Sequence, residues 1–266
     1  MKELNYKNQK TNSINSIKQM SYIEFRALMN NKQVIYGQLL TPILYYLFYS
    51  VGISSTFGNF IYSDVEVSFL KFSFIGIVGI IIFSQMNQSV YRIILDRKWG
   101  LLAFKYFKGV TPFVYITGKM VFPLLNFLLQ ITILYSLSII MGDYFTIGQF
   151  IQIVGLSFLM MLFWFSLGTC ISLKVSSYQT RDMILDTLMM PIAFTAPTFF
   201  SFDNAPIAIK VVSMLNPLTY QLNTLRDFVF GVKDYRNFII VLIMTLLMIS
   251  LAIYSVKNAE LTSDER

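Results

Sequence analysis

Long apolar runs separated by short polar stretches dominate this 266-residue chain, and six of the runs are long enough to cross a bilayer. At ~1.5 Å rise per residue, about 20 helical residues span a ~30 Å hydrocarbon core. The pattern predicts spans over Val34–Ser54, Phe69–Val90, Pro112–Ile140, Gln149–Leu173, Met183–Phe202 and Phe238–Val256. Each is expected to be a helix, because a backbone in lipid must satisfy its own hydrogen bonds. The predicted fold class is an all-α integral membrane protein with six transmembrane helices.

Composition strengthens that expectation: 55% of residues are hydrophobic, 16% aromatic and only 13% charged, which leaves no room for a large aqueous domain. A net charge of +7 would suggest nucleic acid if it were spread at random, but the basic residues have a pattern. Lys2, Lys7, Lys10, Lys18, Arg26 and Lys32 precede the first span, Arg92, Arg97, Lys98, Lys105 and Lys108 lie between the second and third, and Lys174 and Arg181 follow the fourth. Lys257 and Arg266 follow the last. The alternate loops, Ile53–Ser68 and Met141–Gly148, hold Asp64, Glu66 and Asp143 and no Lys or Arg. The positive-inside rule therefore predicts an N-in/C-in topology in a cell membrane, with the bilayer and not nucleic acid as the charged partner. Lys210, Arg226, Lys233 and Arg236 depart from the rule, falling on the predicted outer side.

Residues 1–33 read as a cytoplasmic leader, 34–257 as the transmembrane unit and 258–266 as a cytoplasmic tail. Met1–Ser16 lacks the apolar core of a secretory signal, so the first span is the expected targeting signal. The single cysteine, Cys170, lies inside a span, and the chain contains no histidine. That removes His-based acid–base and nucleophile chemistry and the commonest transition-metal ligand. No G-x-x-x-x-G-K-[ST] phosphate loop is present. Neither catalytic residues, nor a metal site, nor a cofactor held by this chain is expected. Gly76, Gly79, Gly155 and Gly168 are expected to allow close helix packing.

Three segments stand out. In Ser16–Asn31, Met20, Ile23 and Ala27 share a helical face that suits the membrane surface, with Glu24 intruding on the apolar side. The segment 91–111 mixes opposite charges with large apolar groups, including Trp99, Leu102 and Tyr106, a combination suited to gripping a partner. In the last third, Pro191, Pro197, Pro206 and Pro217 interrupt the helical pattern, and the short apolar pieces Ala208–Leu215 and Leu218–Phe230 predict a re-entrant hairpin within 203–236. Asn216 and Pro217 are expected to end one short helix and begin the next, with Asn216 as cap.

Asn216-Pro-Leu-Thr-Tyr220 followed by Leu225-Arg226, set between an interrupted fifth span and a terminal one, resembles the permeases of type-2 ATP-binding-cassette (ABC) exporters. The run Asp96-Arg97-Lys98-Trp99-Gly100 through Thr111-Pro112 is similar to that family's cytoplasmic segment, with Asp96 where the family often has Glu. The resemblance implies a half-transporter: two permeases, identical or different, pair around a central pathway, and two copies of a separate ATP-binding subunit carry the ATP and magnesium. It implies that Asp96, Arg97, Lys98, Trp99 and Gly100 form a coupling helix, that the leader is an interfacial helix, and that Asn216, Pro217, Tyr220 and Arg226 close the outer mouth. A bacterial cell membrane is the expected setting.

The spans hold few ionisable groups, so no charged cage for a polar solute is predicted. Tyr36, Tyr45, Tyr46 and Tyr49 around the first span could line a path for an amphiphile such as a drug, an antimicrobial peptide or a lipid. Aromatic rings also stack on sugars, which leaves a polysaccharide or teichoic-acid-type polymer as the alternative cargo. A secondary transporter would need coupling groups near the midplane, but Lys71 and Lys119 fall near span ends, where they can snorkel. A membrane enzyme would need converging polar groups, and Asp203, Asn204, Arg226 and Asp227 form the one outer cluster.

Overall fold

The computed structural model describes residues 13–175, 177–200, 202 and 205–259. The charges expected at Lys2, Lys7 and Lys10, the pair Asp203–Asn204 and most of the tail lie outside the described residues. In chain order the elements are α1 (Ser13–Asn30), α2 (Lys32–Leu44), a π-helical continuation (Tyr45–Val51) and α3 (Gly52–Phe57). There follow β1 (Asn59–Tyr62), β2 (Val65–Ser68), α4 (Phe69–Lys98), α5 (Leu101–Phe107), α6 (Pro112–Lys119) and α7 (Val121–Ile140). The chain continues through α8 (Ile147–Lys174), α9 (Tyr178–Thr195), α10 (Ile207–Met214), α11 (Pro217–Phe230) and α12 (Arg236–Lys257).

Among the described residues, five stretches are long and apolar enough to cross a membrane: Lys32–Ser54, α4, α6 with α7 (Pro112–Ile140), α8 and α12. This is a multi-pass membrane protein. Its most apolar surfaces agree, since Ile243, Leu246, Leu247 and Leu251 of α12 stand exposed where water would penalise them and lipid would not. Helix α4 is the axis of the bundle, with 78% of its apolar stretch buried, against 22% for peripheral α12. Its long partner is α8, while α7 and α11 also lean on α4, and α12 packs along α8. Gly168 of α8 lets the Met86–Val90 stretch of α4 approach, and Gly79 does the same for Leu222 of α11, but Gly155 faces open space.

The fifth expected span, Met183–Phe202, is not among these five. Helix α9 begins earlier, at Ser177, whose side chain accepts from the Thr180 N–H at 3.0 Å, and its first turns carry Arg181, Asp182 and Asp186. It ends at Thr195 because Ala196 precedes Pro197 and is held extended, with ψ at 147°. Pro191 does not break the helix. Near the start of the bundle, Pro42 removes one rung of the α2 ladder, and the widened π turn follows three residues later.

The chain is mostly helical, as expected, with one addition: β1 and β2 form an antiparallel hairpin before α4, in the register Asn59↔Ser68 to Tyr62↔Val65. Val65, Val67, Ile61 and Tyr62 favour strand, and Ser63 and Asp64 take positive φ (45° and 68°), the signature of a two-residue hairpin turn.

Candidate functional site

At the basic end of the bundle, α4 runs past the expected Val90 to Lys98, so Asp96, Arg97 and Lys98 occupy its last turn rather than a loop. Ile93 and Ile94 are buried and carry the helix onward. Gly100 then turns the chain with φ at 65°, and Gly109 does so again with φ at 80° after α5, conformations that any Cβ would strain. Thr111 caps α6 and Pro112 starts it.

Helix α5 is thus a short crossbar with two faces. Leu102 is buried, and Tyr106 donates to the Val256 carbonyl at 3.2 Å, so both turn toward the bundle. The expectation that these two fill a partner's cleft is corrected by that packing. The outward groups are Trp99, Phe104 and Phe107, at 65%, 57% and 59% exposure.

The charged groups of the predicted coupling segment are engaged within the chain. Asp96 lies 2.5 Å from Lys105 and 2.8 Å from Lys119, and it accepts from the Tyr115 hydroxyl at 2.9 Å. Arg97 donates to the carbonyls of Ser172 and Val175 at 2.9 and 3.1 Å, satisfying the unpaired end of α8. The Lys98 ammonium sits 3.9 Å over the Tyr178 ring. Asp96 is buried, so its carboxylate braces α4, α5 and α6 instead of presenting itself to a partner.

That brace extends to α1, a link that escaped the sequence. Glu24 is fully buried, pairs with Arg92, and lies 2.9 Å from Lys119. The inner face of α1 is Met20, Glu24 and Leu28, spaced four apart, whereas Ile23 is exposed. An unbroken chain of charges, Arg92–Glu24–Lys119–Asp96–Lys105, therefore joins α1, α4, α5 and α6. Burial and the neighbouring Lys119 charge pull the Lys105 ammonium below the ordinary lysine range, while Asp96 opposes the shift. Lys119, expected to snorkel, is instead buried in the middle of the network.

At the opposite end, Asn216 caps α11: its side chain accepts from the Leu218 N–H at 2.9 Å and donates to the Ile192 carbonyl at 2.7 Å and to Thr195 Oγ1 at 2.9 Å. Pro217 occupies the first turn. Tyr220 donates to the Met214 carbonyl at 2.8 Å, closing α10 on α11. Arg226 is fully buried; it donates to the carbonyls of Pro197, Thr198 and Phe72 at 2.6, 3.1 and 3.3 Å, and its guanidinium lies 3.4 Å over the Phe72 ring. This side chain ties the interrupted segment after α9 to α4 and α11, and the Thr198 hydroxyl ties it back to the Ala193 carbonyl at 2.9 Å. Gly76 makes the approach possible, since a Cβ there would overlap the Thr198 carbonyl. The adjacent Asp227 accepts from Tyr62 of β1 at 2.8 Å and Asn237 of α12 at 2.9 Å.

The four tyrosines of the predicted substrate path separate. Tyr36 is exposed, Tyr46 is buried with its ring edge-on to Phe74, and Tyr45 and Tyr49 both contact Phe199, at ring separations of 6.3 and 4.2 Å. Tyr45 borders a cavity of about 430 Å³ between α2, α4 and α9, with Gln38, Ser84, Gln88 and Phe199. Behind it the amide of Asn126 donates to Gln38 and, at 3.1 Å, to Gln85. The repeated amides were visible in the sequence, Asn126 and Gln130 one turn apart on α7 and Gln85, Asn87 and Gln88 on α4, although nothing in a single chain showed that they converge.

Comparison with known proteins bears on the whole arrangement. The profile of the ABC-2 type transporter family matches residues 15–230, from the leader helix through the Asn216 hairpin, and the chain belongs to that family. It is also 24% identical over 204 residues to the "Putative transport permease ycf38" of Cyanophora paradoxa, a match covering 71% of this chain and 65% of that protein. The chain thus spans a little under two thirds of the relative's length.

Proposed function

We propose that this chain is the membrane subunit of an ATP-driven exporter whose nucleotide sites lie on separate ATP-binding subunits. Two permeases, alike or different, pair around a shared pathway in a bacterial cell membrane, with one ATP-binding subunit beneath each. The observation that carries the coupling role is the set of exposed aromatics at this turn, Trp99 at the end of α4 with Phe104 and Phe107 of α5, beside a crossbar braced by the Asp96 ion pairs. Exposed aromatics on a rigid support are the groups that anchor an interface. When the ATP-binding pair closes, α5 is displaced, and the buried charges carry α1, α4 and α6 with it as a rigid body. Arg97 and Lys98 extend the motion to the ends of α8 and α9, and Gly100 supplies the turn. At the other mouth, Asn216, Pro217, Tyr220 and Arg226 hold α9, α10 and α11 together as the outer gate.

The cargo in this reading is an amphiphile. The cavity beside Tyr45 offers amide and hydroxyl groups without a formal charge, flanked by aromatic rings, which suits a neutral hydrogen-bonding head with an apolar body. The same pairing of amides with Tyr45 and Phe199 favours a second reading, a sugar polymer whose hydroxyls meet Gln38 and Gln88. The test is reconstitution with a cognate ATP-binding subunit. ATP-dependent movement of a fluorescent amphiphile across liposomes, lost on Ser84→Leu, is the expected result. Stimulation by an oligosaccharide lipid but not by simple amphiphiles selects the second reading, and stimulation by neither removes both.

A further inference from the structure

Helix α7 adds one residue, Gln130, to the wall of the 430 Å³ cavity beside Tyr45. Gln130 is 2% exposed, and its amide nitrogen has no hydrogen-bond partner among the described residues. The polar groups around it are occupied with one another. Asn126, one turn away, donates to Gln38 and Gln85; Gln85 donates to the Ile81 carbonyl and to Ser84 Oγ, each at 3.3 Å; and Ser84 donates to the Ile81 carbonyl at 2.7 Å. A buried amide N–H is costly to leave unpaired, so one standing at the edge of a cavity marks a place where an acceptor from outside the chain is favoured.

The nitrogen is covered, just behind the cavity wall. The last torsion of a glutamine side chain is soft and roughly two-fold, so a turn of the amide presents its NH2 group to the cavity without moving α7. What it meets there has to be an acceptor, because an NH2 group only donates. That acceptor has to be uncharged as well. The lining contains no Asp, Glu, Lys or Arg, so an ion of either sign would enter without a counter-charge and lose its hydration uncompensated. Ile77, Ile81, Phe194 and Phe199 make much of the remaining wall apolar.

We propose that Gln130 selects the cargo: the cavity takes an amphiphile whose head is an uncharged hydrogen-bond acceptor, a carbonyl or ether oxygen bonded by the Gln130 amide, with its apolar body against Ile77, Ile81 and Phe199. The inference rests on the reading of this cavity as the cargo site and narrows the cargo within it, excluding cationic and anionic amphiphiles of the same chain length. Gln130 acts here as a specificity residue and not as a brace, since its side chain makes no hydrogen bond to another described residue.

The experiment equilibrates the full-length permease, in phosphatidylcholine nanodiscs, by dialysis against N,N-dimethyldecanamide, decyltrimethylammonium or undecane, with protein-free nanodiscs as the reference. The dimethylamide accepts a hydrogen bond without donating one, the ammonium does neither, and the alkane has no head. The parent protein should bind the dimethylamide, and the ammonium roughly 10-fold more weakly or not at all. Gln130→Leu should weaken the dimethylamide about 5-fold, the effect of one net hydrogen bond, and leave undecane unchanged. The melting temperature of this variant should match or exceed the parent's, because no hydrogen bond to a described residue is lost. Equal losses for dimethylamide and undecane, or no loss for either, overturn the proposal. So does ammonium binding as tight as that of the dimethylamide. A melting temperature well below the parent's overturns it too, by showing that the amide turns inward to Asn126, whose Oδ1 also lacks a partner among the described residues. No ATP-binding subunit is present in these measurements, so their failure is distinct from failure of the exporter reading, which would appear as binding without ATP-driven transport.

Discussion

Glu24 of α1 and Lys119 of α6 face each other at 2.9 Å with both side chains buried, tying the leader helix to the start of the third span. Glu24 also pairs with Arg92, and Lys119 also pairs with Asp96, so removing either charge breaks two ion pairs at once. Removal of one partner from a buried ion pair typically costs about 3–5 kcal/mol, because the remaining charge has no water to return to. Glu24→Leu should therefore lower the apparent melting temperature in detergent sharply. The double variant Glu24→Leu, Lys119→Met should recover part of the loss, since the central charges leave together. A Glu24→Leu protein as stable as the parent would show that the network contributes little.

Five of the six expected spans have counterparts among the described residues, and they could be read from the chain because bilayer thickness and backbone hydrogen bonding leave few alternatives to an apolar helix. The same logic placed Asn216 and Pro217 at a helix start, where local chemistry alone decides the conformation. Glu24 misled for the opposite reason. An acidic residue on an apolar face looks like a defect until its partners arrive from Arg92 and Lys119, distant positions that periodicity does not reach. The β1–β2 hairpin lies in a short stretch that the pattern of apolar runs left unassigned, although Ser63–Asp64 carried the turn signal. For Trp99 against Leu102 and Tyr106, the direction of each face depended on where α5 docks, a tertiary fact set by Gly100 and Gly109.

Orientation can be tested with single cysteines in a Cys170→Ser background. Ser63→Cys and Tyr144→Cys should react with a membrane-impermeant thiol reagent added to intact cells, and Lys18→Cys and Asn258→Cys only after lysis, because the basic ends belong in the cytoplasm. Reaction of Lys18→Cys in intact cells would invert the topology.

The outer gate makes a sharper prediction through the two roles of Asn216. Its carbonyl oxygen caps α11 and its amide N–H groups hold α9, through Ile192 and Thr195. Asn216→Asp keeps the cap and loses the donor, whereas Asn216→Leu loses both. Loss of the cap costs about 1 kcal/mol on its own. Both variants should insert normally. Export in reconstituted liposomes should fall modestly for Asn216→Asp and several-fold for Asn216→Leu, in proportion to the links lost between α9 and α11. Equal export by all three proteins would reduce this segment to a connector.

The coupling face separates two kinds of residue that the sequence had grouped together. Trp99, Phe104 and Phe107 are exposed, so their replacement should weaken the partner complex and leave the permease intact. A buried aromatic anchor contributes ~2 kcal/mol or more, so Trp99→Ala should reduce affinity for the ATP-binding subunit roughly 30-fold. Asp96 and Arg97 should behave differently. Asp96→Ala removes the carboxylate paired with Lys105 and leaves Lys119 with Glu24 alone, and Arg97→Glu sets a carboxylate against the carbonyls of Ser172 and Val175. These two variants should lower the melting temperature of the isolated permease before any partner is added. The comparison needs two measurements, thermal unfolding of the permease alone and binding of the ATP-binding subunit by surface plasmon resonance. If Trp99→Ala, Phe104→Ala and Phe107→Ala together leave binding and stimulated ATP hydrolysis unchanged, α5 is an anchor at the membrane surface and the stroke enters the bundle elsewhere.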